Sequence, residues 1–182
     1  YKRQLKTNVA AEMEKYRLYN VVPELFIFIE DLTNWYIRLN RTRFWGAGLG
    51  EDKISAFSTL YIVLADLSKL MAPFAPFLSD YLYQKLSSFK EQDQAASVHL
   101  CQYPVAEVGF VNTRLELAVD RMQQVILLGR QRREEVKVGL RTPLKKMIII
   151  NKNQELLSDM RSLEGYLNCL LYTSDAADDR GC

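Results

Sequence analysis

The sequence has one histidine and three cysteines in 182 residues. Nucleophilic catalysis of the Ser-His-Asp or Cys-His kind would have to run through His99. Cys101 lies two residues away, so on an extended segment both side chains would point the same way. No orienting third group or oxyanion loop accompanies them, and the plainer reading of His99 is a half-buried residue in a connecting segment. There is no Cys-x-x-Cys and no paired histidine ligand, which removes the common zinc frameworks. Cys101, Cys169 and Cys182 are odd in number and unpatterned, so free thiols in a reducing compartment are expected. Glycine and proline are also scarce, at 8 and 5 residues, which excludes collagen-like and low-complexity chains. No run approaches the roughly 20 apolar residues of a membrane helix. The strongest local candidate, Leu25 to Ile29, is closed by Glu30 and Asp31. A start at Tyr1, with no basic-then-apolar leader, is expected of a piece of a longer protein.

What is present is an ordinary globular composition, 48% hydrophobic and 25% charged. A chain of this length can bury about 70% of the surface its unfolded form exposes. The net charge of +2 conceals a distribution: residues 1–43 carry +3, 44–109 carry −3, 110–152 carry +6 and 153–182 carry −4. Two readings of the basic segments are open. They converge on one face suited to a polyanion, or they only keep helices soluble.

Apolar spacing reads as helices throughout. Residues 8–20 form a short one. From Glu24 to Trp45, Leu25, Phe28, Ile29, Leu32, Tyr36 and Leu39 share a face, with Pro23 at or before the first turn. The opposite face carries Asn34, Arg38, Arg41 and Trp45, spaced four, three and four, a polar line ending in an aromatic. The glycines Gly46, Gly48 and Gly50 are not a phosphate loop, because no Lys-Ser/Thr pair follows and no strand precedes. They read as a helix stop and a flexible turn. Lys53 to Ala72 is the next helix, with Ile54, Phe57, Leu60, Tyr61, Leu64, Leu67 and Met71 inward. Pro73 and Pro76 interrupt it. Phe77 to Phe89 resumes with Leu78, Tyr81, Leu82 and Leu86 inward. Residues 90–94 are a polar loop and Val98 to Tyr103 an extended segment. Val111 to Val138 is the last long helix, with Leu115, Ala118, Val119, Met122, Ile126 and Gly129 on its apolar face. Gly129 there allows either a close helix approach or a kink. Arg114, Arg121 and Arg132 fall nearly in line. Gly139 sits where a C-cap glycine belongs. Met147 to Ile150 is β-branched and suggests a strand, and 154–170 one more helix. From about Leu171 the sequence turns Asp/Ala/Ser-rich and reads as a cloning-derived tail. The fold expected is all-α: an antiparallel helical bundle over 1–140, a junction module with the start of a small α/β unit over 141–170, and the tail at 171–182.

The run Asp31-Leu32-Thr33-Asn34-Trp35-Tyr36-Ile37-Arg38-Leu39-Asn40-Arg41, with Asn20 to Pro23 ahead of it, resembles the anticodon-binding helical domain of isoleucyl-tRNA synthetases, closest to the eukaryotic cytoplasmic branch and its bacterial relatives. Four further segments resemble the family in order: Leu60 to Leu67, Met71 to Asp80, Ser97 to Pro104, and Leu128 to Leu144. The Ala72-Pro73-Phe74-Ala75-Pro76-Phe77 stretch is shared with valyl and leucyl relatives, so the isoleucine assignment rests on the first run. The resemblance covers roughly residues 8–167. It implies a bundle of the class Ia synthetase type that holds a tRNA anticodon stem-loop as part of a cytoplasmic isoleucine–tRNA ligase. The His-Ile-Gly-His and Lys-Met-Ser-Lys-Ser type motifs are absent, so the implied ATP and Mg belong to a catalytic domain outside this sequence, and the chain by itself is expected to be non-catalytic. Implied partners are tRNA, the ligase's remaining domains and a multi-synthetase assembly, with no membrane. The phosphate-contacting candidates are Arg38, Arg41, Arg43, Arg132, Arg133, Arg141 and Lys145. The candidates for stacking or base edges are Asn34, Trp45 and Trp35, the last with a core role favoured. For Arg133, pairing with Glu134 or Glu135 on a solvated face is an equal alternative. A bracing or protein-docking module, and a valyl- or leucyl-type domain, remain the alternatives.

Overall fold

Leu5, Val9 and Met13 recur every four residues, one face of a helix. In the computed structural model, which describes residues 2–89, 95–106, 112–139 and 142–171, that helix is α1, Lys2–Glu14. It stops at Tyr16, whose φ of 56° is left-handed. The Arg17 amide donates to the Glu12 carbonyl and the Tyr16 amide to Met13, at 2.9 and 3.0 Å. This paired closure satisfies carbonyls that a helix end otherwise leaves open. Helix α1 therefore begins and ends about six residues earlier than its sequence pattern suggested.

Helix α2, Leu18–Asp31, holds Pro23 in its interior rather than at its start. A proline there lacks the amide that would bond the Tyr19 carbonyl. Val21 and Leu25, buried on either side of it, show packing overriding propensity. The inward face expected of α2 is present. Val21 and Leu25 join Leu5, Val9, Leu67 and Leu70 in one core, with Phe28 and Ile29 packed against it. The chain continues as a π-helical turn, Leu32–Ile37, then α3, Arg41–Trp45. Gly46 to Gly50 end α3, as expected. A Cβ at Gly46 would lie 2.9 Å from the Thr42 carbonyl oxygen, and Gly48 has a φ of 82°.

Helix α4, Glu51–Met71, starts with Glu51 and Asp52, which suit a helix N-terminus. By length and composition it could cross a membrane, where the sequence pattern showed no such run. It is nevertheless a bundle helix, packed against α1, α3 and α5. Its Asp66 takes a 2.8 Å ion pair from Lys6 of α1. The inward stripe of α4 is only partly as expected: Leu67 is buried, with Leu64 and Met71 packed against the core, whereas Ile54 and Phe57 are exposed and Leu70, outside the expected stripe, is buried. Helix α5, Pro76–Ser87, opens on its proline. Its buried residues are Ser79 and Tyr83, with Leu78 and Tyr81 outside. The inward face is therefore turned from the expected one. Residues 98–100 form a single 3-10 turn rather than an extended segment. Asp80 of α5 holds it, accepting from Ser97 Oγ at 2.7 Å and from the Val98 amide at 2.9 Å.

The chain divides into two compact units, Tyr1–Gly109 and Phe110–Cys182. In the second, Asn112 caps α6, Thr113–Glu135, by accepting from the Leu115 amide. Ala118, Met122 and Ile126 are buried as expected, whereas Leu115 is exposed. Gly129 makes the close approach: a Cβ there would meet Leu171 at 3.0 Å. The left-handed residue that closes α6 is Lys137, φ 56°, two positions ahead of Gly139. The Val138 amide donates to Arg133 and the Lys137 amide to Glu134. Residues 154–170 form two helices, α7 (Gln154–Ser162) and α8 (Glu164–Leu171), separated at Leu163. Both pack on α6. Arg121 binds α6 to α7 through Asp159 at 2.5 Å and Glu155 at 3.4 Å.

Met147–Ile150 is not a strand. A strand needs a ladder partner, and the described residues offer none. Cys101 is a free thiol. Cys169, expected free, is engaged in a disulfide. The polar loop 90–94, Arg141 and the tail from 172 lie outside the described residues.

Candidate nucleic-acid interface

The polar line of the sequence lies on the α2–π–α3 rod. The π turn has an identifiable local cause. Thr33 Oγ1 donates to the Ile29 and Glu30 carbonyls, at 2.8 and 3.0 Å, and such back-bonding competes with the regular ladder. A π turn holds one extra residue and alters the rotation of everything after it. Spacing that assumed 3.6 residues per turn is therefore not kept. Asn34, Arg38, Arg41 and Trp45 are nonetheless all exposed. At the next bend, Asn40 Nδ2 donates to the Tyr36 carbonyl at 2.7 Å and holds α3 in line with the π segment.

Trp45 is 71% exposed. It is not a loose side chain. Phe44, buried beside it, meets it edge to face at 6.2 Å and also meets Tyr36 and Phe57 at 6.2 and 5.1 Å. The Arg41 guanidinium sits 6.0 Å from the Trp45 ring centroid, at the outer limit of a cation–π contact. Among the described residues neither Arg38 nor Arg41 has a carboxylate partner. Trp35 is half-buried.

Arg43 has a different surrounding. Its Nε and Nη2 donate to both Asp52 carboxylate oxygens, at 2.7 and 2.6 Å. Its Nη1 donates to Asn40 Oδ1 at 2.8 Å. The Arg43 hydrogen bond holds the Asp52 carboxyl below its usual range. Lys53 Nζ donates to the Gly46 carbonyl at 2.8 Å. Together these close the glycine turn and fix α3 against the start of α4. Arg43 is among the expected phosphate contacts, but its fork is spent on the turn. Asp52, the partner that decides this, is one of two adjacent acids that follow the glycines, Glu51 and Asp52.

The remaining candidates belong to the second unit. Arg132 is exposed and bonds Glu135 at 2.7 Å. Lys145 is exposed. Arg133 is neither exposed nor paired with its neighbouring glutamates. It is 4% exposed and donates to the carbonyls of Leu171 at 3.1 Å, Thr142 at 2.5 Å and Gly139. It is a buried clasp between the end of α6, the segment after it and α8. Lys6, buried against Asp66 and the Val105 carbonyl, is a second such cation that sequence reasoning missed. Among the described residues no three His, Cys, Asp or Glu side chains stand close enough to hold a metal.

Geometrically, the α2–π–α3 surface offers an anchored exposed indole, two uncompensated guanidinium groups and an exposed amide. Aromatic and guanidinium planes stack on unpaired bases, and guanidinium groups bind phosphate. Comparison with known proteins points the same way. The family described as the anticodon-binding domain of tRNA ligase matches residues 3–148. The isoleucine–tRNA ligase of Bdellovibrio bacteriovorus is 46% identical over 162 residues, 89% of this chain and 15% of that protein. The probable cytoplasmic isoleucine–tRNA ligase of Dictyostelium discoideum is 44% identical over 160 residues, 87% of the chain and 15% of the relative. The cytoplasmic isoleucine–tRNA ligase of Saccharomyces cerevisiae is 41% identical over 163 residues, 86% and 15%. The chain thus spans about 15% of the length of these curated relatives.

Proposed function

The chain belongs to the anticodon-binding domains of tRNA ligases, and from that premise we propose that it holds the anticodon stem-loop of an isoleucine tRNA within a cytoplasmic isoleucine–tRNA ligase. The observation that carries this reading is the exposed Trp45, seated on Phe44 with Arg41 beside it and Arg38 unpaired. An unpaired base of the loop stacks on Trp45. Asn34 reaches a base edge, and Arg38 and Arg41 neutralise phosphates. Arg132 and Lys145 are the phosphate contacts of the second unit, and Arg141 is a third by sequence. Arg43 and Arg133 support the fold of the binding surfaces rather than touching RNA.

In the whole ligase, docking here orients the acceptor end toward a distant catalytic domain, a positioning role. ATP and Mg belong to that domain. The test is titration of the chain with two anticodon stem-loop RNAs, one carrying an isoleucine anticodon and one a single-base change. Tighter binding of the first is expected, with affinity falling steeply between about 50 and 200 mM salt. Equal affinity for both would leave phosphate docking alone. No binding at low salt by a folded chain would make it a bracing module.

A further inference from the structure

Phe57 belongs to the expected inward stripe of α4, yet it stands 46% exposed. It meets the buried ring of Phe44 in a T-shaped contact, 5.1 Å between centroids, and Phe44 meets Trp45 in the same manner at 6.2 Å. One buried ring therefore seats two exposed ones. A T-shaped contact engages at most one face of a ring, so Phe44 leaves a face of Phe57 clear. Lys53 lies one turn earlier on the same side of α4. Its ammonium reaches the carbonyl of Gly46, the residue after Trp45, at 2.8 Å. A cation thus stands between the base of Phe57's helix and the Trp45 end of α3. The acid next to it in sequence, Asp52, is taken up by the Arg43 fork.

We propose that Phe57 is a second stacking platform, holding the base next to the one on Trp45. The inference rests on the RNA-binding reading above and extends it from one unpaired base to two. RNA-binding modules set two or three unstacked bases on neighbouring aromatic side chains, and every base has a π-face to offer such a ring. The step between two such bases carries one phosphate, and Lys53 supplies positive charge beside it. The competing explanation is that Phe57 only shields Phe44, its exposed part being apolar surface for a protein contact. The two differ in what leucine does at this position. Leucine keeps an apolar side chain over Phe44 but has no π-face.

The experiment is anticodon stem-loop binding by the full chain and its Phe57→Leu, Phe57→Tyr and Trp45→Leu variants across a salt series. The RNAs are the intact stem-loop and a set with one abasic nucleotide at successive loop positions. Phe57→Leu is expected to bind the intact loop about five- to fiftyfold more weakly. The slope of its log affinity against log salt stays unchanged, because no charge is removed. Phe57→Tyr keeps the affinity. One abasic position should weaken the full chain but not Phe57→Leu, and it should adjoin the position to which Trp45→Leu is blind. The same position for both variants overturns the proposal, since Phe57 would then act only by seating Trp45. A full chain that senses a single loop position also overturns it, however well the variants fold. Unchanged affinity in Phe57→Leu, with a loss in Trp45→Leu, removes this inference alone and marks the ring as surface for a protein contact. Failure of the unsubstituted chain to bind stem-loop RNA overturns the RNA-binding reading itself, and this inference with it.

Discussion

Arg132 and Arg133 are adjacent in sequence and opposite in surroundings. Arg132 stands in solvent beside Glu135, while Arg133 is enclosed by three backbone carbonyls. The difference is legible once the stripe is counted through: Ala118, Met122, Ile126 and Gly129 step by four, four and three, and four more residues reach Arg133. A charged residue on a buried stripe needs partners, and the partners here lie up to 38 residues further on, which spacing alone does not reveal. Arg133→Ala leaves those carbonyls without their donor, so a loss of about 2–4 kcal/mol is expected. Urea denaturation followed by circular dichroism measures it, and an unshifted midpoint would contradict the clasp. Arg43 repeats the lesson on the other unit. Its charge suggested phosphate, whereas the Asp52 fork decides its role. Asn34, Arg38, Arg41 and Trp45 were legible as exposed because no apolar spacing includes them.

Among the elements, α4 and α6 match their expected bounds to within a few residues, because long apolar-periodic runs leave little choice of where a helix lies. The α2–π–α3 rod does not. Its π turn arises from a threonine hydroxyl that competes for carbonyls, a signal far weaker than hydrophobic spacing. Helix α5 is turned from its expected face by a polar contact, since Asp80 points at the turn beyond the helix rather than at solvent. Hydrogen bonds from Ser97 first and the Val98 amide second hold the Asp80 carboxyl below its usual range. The sign follows from that lowering. The ionised form is favoured more in the folded than in the unfolded chain, so its stabilisation is full above about pH 4, the ordinary aspartate value. It is lost as pH falls through the lower folded value. The gap in melting midpoint between the chain and Asp80→Ala should therefore be constant from neutral pH to about pH 5 and shrink below about pH 4. A gap independent of pH would show that Asp80 acts through packing alone.

For the whole molecule, the all-helical class and the family were both legible, the first from periodicity and the second from one specific run around Asn34 to Arg41. The expected strand at Met147–Ile150 was not realised because a β-branched run specifies a strand only when another strand meets it. The charge distribution acquires a physical meaning from the structure. Some basic residues of each unit, Lys6, Arg43, Arg121 and Arg133, are consumed internally. Others, Arg38, Arg41, Arg132 and Lys145, remain on the surface. These exposed cations, considered unit by unit, are the ones proposed above to meet RNA phosphates. The stacking of Trp45 on an unpaired base, proposed above, can be followed directly. The chain has two tryptophans, so Trp35→Phe makes Trp45 the sole indole emitter. Titrating that variant with an anticodon stem-loop should quench Trp45 emission in step with binding, and the paired stem without its loop should not. RNA binding by the variant with Trp45 emission unchanged would contradict the account.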